Sequence, residues 1–159
     1  MLTNRACNNL DEQGYTFLSP EEKSKLNIAF RITPTLCIIV VIFGIYTHDW
    51  RIFAGLAVFG LLGAMTTRWQ PFDVFYNVVL RHVLKTPSLP PSPIQKRFAC
   101  GVGAFFLIGA AATFYLGILT WGYIFGALYI IAAGLMALTH FCVASWFYNR
   151  VTSKSSVAE

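Results

Sequence analysis

The chain has 159 residues, of which 56% are hydrophobic and only 12% charged, with a formal net charge of +5. Soluble domains carry about a quarter charged residues, so these charges are too few to coat a water-facing surface. The length allows one domain, and the charges cluster outside long apolar runs, the mark of a membrane protein rather than a nucleic-acid binder.

Residues 1–18 are polar and mixed and read as an N-terminal tail. They contain acidic residues and no apolar core of a cleavable signal, so insertion is expected to start at the first internal helix. Ser19-Pro20-Glu21-Glu22 places Ser at an N-cap, Pro at N1 and Glu at N3, a strong helix start. That helix is expected to feed into a first span at about 28–47. Pro34 near its start removes a backbone donor and predicts a kink. Arg31, just before it, can snorkel toward headgroups. A polar turn, His48-Asp49-Trp50-Arg51, leads to a second span at about 50–66. The apolar cores of both spans are short for a perpendicular crossing.

Between spans two and three, Phe72, Phe75, Tyr76, Val79, Leu80, Val83 and Leu84 recur at helical spacing. The stretch 71–85 is too polar to cross, so it is expected to lie flat at the interface, as an anchor or as a partner-docking face. Asp73, Asn77, Arg81 and Lys85 fall off the stripe. A Pro-rich spacer at 86–95 is expected to be stiff and extended. Spans three and four follow at about 98–120 and 123–148, joined by the uncharged turn Gly117 to Gly122. Residues 151–159 form a tail.

The predicted fold is all-α: a four-helix transmembrane bundle of two helical hairpins with an interfacial amphipathic helix between them. With both termini inside, all but Arg51 of the 12 lysines and arginines fall on the cytoplasmic side. Removing the second span would destroy that asymmetry.

Few groups could carry chemistry. Gly122, Gly126, Ala133 and Ala137 share a face of the fourth span, where small side chains permit close helix packing. His140 is read as the one titratable group well inside a span. It is either a cofactor ligand or proton-handling group, or a neutral imidazole bonded to a neighbour. Of the four cysteines, Cys100 and Cys142 are expected at similar depth in the second hairpin, and Cys37 lies in the same half. They are candidate thiols, or small hydrophobes packed in the core. No zinc-ligand spacing, phosphate loop or hydrolase motif occurs, and the residues specify no cofactor.

Four stretches resemble the bacterial DUF4395 membrane proteins over about residues 27–150. They are Asn27 to Arg31 with Pro34, Phe75-Tyr76-Asn77, Arg97-Phe98-Ala99-Cys100-Gly101-Val102-Gly103, and Phe141-Cys142-Val143-Ala144-Ser145-Trp146-Phe147-Tyr148. The resemblance implies an inner-membrane protein. It also implies a thiol or sulfur link through thioredoxin-like and rhodanese-like partners. Many members end on a Cys-x-x-Cys pair; here the matching residues are Cys142 and Ser145, so a mixed disulfide could form but not resolve within the pair.

The expected function is a non-enzymatic accessory or scaffold subunit of a larger membrane complex, in contact with membrane lipids and with other membrane subunits or copies of itself. A thiol-redox or sulfur-relay component is the first alternative, and a small transporter-like oligomer the second.

Overall fold

The computed structural model describes residues 4–67, 71–84 and 86–155, the side chains of 83, 84 and 153–155 excepted. Arg68, Lys85 and the side chains of Val83 and Lys154 therefore lie outside the described residues. Every regular element described is helical. In chain order these are α1 (Asn4–Glu12), α2 (Pro20–Lys25), α3 (Asn27–Thr47), α4 (Trp50–Met65), α5 (Pro71–Phe75), a π-helical turn (Tyr76–Leu80), α6 (Arg81–Leu84), α7 (Ile94–Tyr115), α8 (Leu119–Thr139) and α9 (Val143–Ser155).

The capping box at Ser19 is formed. The Ser19 N–H donates to Glu22 Oε2 at 2.8 Å, and the Glu22 N–H donates to Ser19 Oγ at 3.3 Å. Helix α3 runs through Pro34 to Thr47. Its end and the start of α4 are set by His48, at φ 53, and by Asp49, whose Oδ1 accepts from the Arg51 N–H at 2.9 Å. Three helices, α3, α7 and α8, are long and apolar enough to cross a membrane. With 16 residues α4 is shorter, about 24 Å at 1.5 Å per residue.

The apolar helices pack by proximity of small residues. The most extensive contact is between α4 and α7, with α7 against α8 and α8 against α3; α3 and α4 touch more lightly. A Cβ at Gly60 would lie 3.1 Å from Ala104 Cβ and 3.3 Å from Cys100 O, so the α4–α7 seam closes on bare backbone. The main core lies among α3, α4 and α7, around Val41, Phe53, Leu107 and Phe114. Phe53 and Phe114 stack at 5.0 Å.

Two ends result. The hairpin end holds the turns at 48–49 and 116–118. The terminal end gathers α1, α2, α5, α9 and the Pro-rich strap. Residues 1–18, expected as a tail, instead supply α1 and part of a second core, with Leu10 and Tyr15 packed against Leu26, Phe30, Tyr76 and Leu89. Ala6 and Leu10, one helical turn apart, form the apolar stripe that the polar composition hid.

The fourth span also differs from its expected 123–148. Helix α8 begins at Leu119 and stops at Thr139, and His140 takes the left-handed conformation (φ 56) before α9. The last carbonyls of α8 bond outward instead. Asn9 Nδ2 donates to Thr139 O at 2.7 Å and Gln13 Nε2 donates to His140 O at 2.6 Å. Thr139 Oγ1 accepts from the Phe141 N–H. Side chains from α1 and its following turn thus terminate α8. The third span likewise sits earlier than 98–120, at Ile94–Tyr115.

Candidate functional site

Cys37 on α3, Cys100 on α7 and Cys142 in the α8–α9 link all line one cavity of about 610 Å³. Antiparallel register placed Cys100 and Cys142 together, and the structure adds Cys37 to the same wall. Cys7, on α1, is not part of it. Among the described residues none of these thiols is in a disulfide. Tyr129 on α8 lines the same cavity. Ser145, at the position of the second family thiol, is buried and its Oγ donates to Gln95 O at 3.3 Å. That hydroxyl is engaged with backbone rather than facing Cys142.

At the terminal end of the cavity sits a group that the sequence reading overlooked. Asp73 and Lys96 are both buried and form an ion pair at 2.6 Å. Thr33 Oγ1 donates to Asp73 Oδ1 at 3.1 Å, and Ser92 Oγ donates to Oδ2 at 3.3 Å. One carboxylate thereby ties α3, the strap and α7 to α5. A buried charge must be paired and hydrogen-bonded to be tolerated, and here both conditions hold. Tyr15, fully buried, stands beside Lys96, and burial pushes its phenol above the ordinary value.

Asp73 had been placed off the apolar stripe of a continuous α-helix. The correction lies in the phase of the helix: Asp73 stands three residues before the buried Tyr76 and so shares its face. A sequence signal was present: Asp73 is the only carboxylate residue between Asp49 and Glu159, in a stretch with many cations to choose it.

His140 is not mid-span, as the sequence reading had it, but at the cap of α8. Its Nε2 is 2.7 Å from Asn27 Oδ1, and Arg31 Nε donates to the same Oδ1 at 3.1 Å. Nε2 therefore carries the proton that goes to Asn27, and the Arg31 guanidinium, with Nε 3.3 Å from Nε2, adds positive charge at close range. Burial first, and then Arg31, lower the imidazole to about 4. Arg31 and His140, the two polar intramembrane candidates, thus share one network with Asn27 at the terminal end. Arg97 caps α4: its Nε donates to Ala64 O and its Nη2 to Met65 O, both at 3.0 Å.

A family model described as "Domain of unknown function (DUF4395)" matches residues 27–153. The chain belongs to this family. No curated protein and no solved structure matches it. The matched DUF4395 region begins with α3 and contains the three cavity thiols, Asp73, Lys96, Asn27, Arg31 and His140. The side chains that terminate α8, Asn9 and Gln13, lie before it.

The expected docking stripe of this DUF4395 member divides. Tyr76 is buried, with its hydroxyl bonded to Thr86, while Phe72 packs edge-on to Phe59 at 5.7 Å and Leu80 against the second core. Phe75 and Val79 point outward together with Val78. The buried face is set by Asp73 and Tyr76, three residues apart, and Phe75 falls beside it. Of the small-residue face, Gly122 meets the Phe114 ring and Gly126 meets Ile45. Ala133 lines the cavity instead of a helix seam, and Ala137 is half-buried.

Proposed function

We propose that this DUF4395 chain is an integral protein of the bacterial inner membrane, crossing it four times with both termini on the cytoplasmic side, and that it works as a non-enzymatic accessory subunit. One observation carries the membrane reading. The outward faces of the long helices are apolar throughout, with Phe43 58%, Phe105 66%, Ile131 60% and Leu138 73% exposed. Patches of that extent are stable only against lipid or protein. The fourth crossing rests on α4, antiparallel to α7 and bracketed by α3. Its length, short of the ~30 Å hydrocarbon core, is met by local thinning and by shelter against α7. Arg51 stands alone at the hairpin end, which makes the terminal end cytoplasmic by the excess of lysine and arginine there.

The accessory role is supported by two features. Lys96 is paired with Asp73 and Arg97 caps the end of α4, so both cations hold helices together at this end. On the terminal end, Phe75, Val78 and Val79 form an apolar surface outside the long helices, suited to a partner subunit. Mild solubilisation followed by native mass measurement tests this. The expected result is a stable complex with another membrane protein or with further copies. A monodisperse monomer with nothing bound would overturn the role, and opposite-side labelling of cysteines placed at residues 5 and 154 would overturn the topology.

A second reading, a thiol or sulfur-handling component working with thioredoxin-like or rhodanese-like proteins, is favoured by the convergence of Cys37, Cys100 and Cys142 on one cavity. Thiol mapping in intact membranes tests it. Labelling of Cys100 or Cys142, with a phenotype from the double Ser variant, supports it, and silence at both positions removes it.

A further inference from the structure

We infer that the cavity binds the tail of a membrane amphiphile whose head is uncharged and carries a hydrogen-bond-accepting carbonyl. The inference rests on the membrane reading above. Its size, about 610 Å³, is that of a small-molecule site, which typically spans ~300–1,000 Å³. Its wall includes Ile131, Leu135 and Phe147, which are themselves exposed on the outer surface of α8 and α9. The cavity therefore opens sideways, where lipid lies, and an occupant enters from the bilayer.

The head is specified by the polar end. Lys96 and Asp73 both line the cavity and cancel in charge. A carboxylate or phosphate head would bring an unpaired charge into an apolar, already neutral site, at a desolvation cost no group there compensates. A neutral carbonyl incurs no such cost. The Lys96 ammonium has three N–H donors and gives one to Asp73, so it can serve a carbonyl oxygen without losing its carboxylate. Thr33 stands at the same end. Quinones and monoacylglycerols share this chemistry, a neutral carbonyl head on a long apolar tail.

The test uses the full chain in lipid nanodiscs with three diazirine-tailed probes of equal tail length: an alkylbenzoquinone, a monoacylglycerol and, at pH 9 where its head is ionised, a fatty acid. Saturable labelling of peptides covering 100–107 and 128–136 is expected from at least one neutral probe, and which one labels names the source. It should fall at least tenfold with excess unlabelled competitor, and the fatty acid should label at least tenfold less. Ala133→Trp, in the cavity wall, should abolish the signal, whereas Leu138→Trp, outside the wall, should leave it. The double variant Asp73→Asn/Lys96→Met removes the ammonium donor and should weaken labelling by the neutral probe severalfold, while the fatty acid stays excluded. Unsaturable labelling spread evenly over outward faces, or no labelling by either neutral probe, would overturn the site. Equal labelling by the fatty acid would overturn the head assignment. Should Ala133→Trp not fold, competition and head preference in the unsubstituted chain still decide.

Discussion

The two ends of the molecule solve the same problem with different chemistry. At the hairpin end α3 and α4 are joined through His48 and Asp49, and α7 and α8 through Leu116 to Ile118. The closure there is aromatic: Trp50 meets Tyr115 edge-on at 5.3 Å, Phe114 meets Tyr123 at 5.8 Å, and a side-chain hydrogen bond joins His48 to Tyr123. At the terminal end, helices that would otherwise stop with open carbonyls are finished by side chains from elsewhere, Arg97 for α4 and Asn9 and Gln13 for α8. A buried ion pair and the Asn27–Arg31–His140 network complete it. Short turns need little long-range polarity. An end that gathers α1, α2, the strap and α9 has many backbone groups to satisfy away from water, and it does so with specific partners. The terminal end is therefore where single substitutions should hurt most.

The largest effect is expected at the ion pair. Lys96→Met leaves Asp73 buried without a counter-charge and should cost about 3–5 kcal/mol, read as a large drop in unfolding midpoint in detergent. The double variant Asp73→Asn/Lys96→Met removes both charges and should recover most of that loss. If the single and double variants are equally unstable, the pair does not organise this end, and the contrast between the two ends fails.

The long helices were legible because hydropathy acts over many residues and does not depend on partners. So was the Ser19 capping box, which is purely local. Antiparallel register put Cys100 and Cys142 at similar depth, but Cys142 stands in the α8–α9 link and Cys37 joins them from α3, which register within one hairpin does not specify. What escaped was whatever depended on distant partners. Nothing near His140 in sequence marks a helix end; the groups that stop α8 come from Asn9 and Gln13, more than 120 residues earlier. Asp73 fell off a stripe drawn through Phe72 and Phe75, and only its distant partners Thr33, Ser92 and Lys96 reveal that the buried face passes through Asp73 and Tyr76. Helix α1 was missed because two apolar positions among polar ones acquire meaning only once Phe30 and Leu89 are there to cover them.

Next in size is the α4–α7 seam, which runs between the two ends. Gly60→Leu must displace Ala104 and the Cys100 carbonyl, and should cost about 1–3 kcal/mol. Gly55, on the same helix, has nothing within 4 Å of its would-be Cβ. Gly55→Leu should be neutral or stabilising by up to ~1 kcal/mol, the gain in helix propensity. Equal losses at both sites would mean that α4 is held by its length in the bilayer and not by this seam.

The terminal end should also respond to pH. Unfolded His140 titrates near 6.5, and in the fold it is lowered to about 4. The unfolded chain therefore takes up the proton first as pH falls. The stability is fully present above about 6.5, declines as pH drops toward 4, and levels off below. The groups facing this imidazole are Arg31 and Asn27 from α3, and Gln13, which holds the residue's carbonyl. His140→Asn tolerates the left-handed backbone and should flatten the slope between pH 6.5 and 4 in thermal unfolding. An unchanged slope would assign the effect to the carboxylates of α1 and α2.

The smallest effects give the finest comparison, because each removes one hydrogen bond from one end. Ser19→Ala deletes the half of the capping box in which the Ser19 hydroxyl accepts from the Glu22 N–H, and leaves the backbone N–H that donates to the Glu22 carboxylate. Caps of this kind contribute about 1 kcal/mol, and the loss should appear as a modest fall in unfolding midpoint. Tyr123→Phe deletes the bond to His48. Both partners are exposed, so water replaces what is lost, and the cost should lie at the bottom of the ~0.5–1.5 kcal/mol range for a hydrogen bond. The edge-on contact of ring 123 with Phe114 survives the change. If Tyr123→Phe proved the more damaging of the two, the hairpin end would owe its closure to polarity after all, and the aromatic contacts would be secondary there.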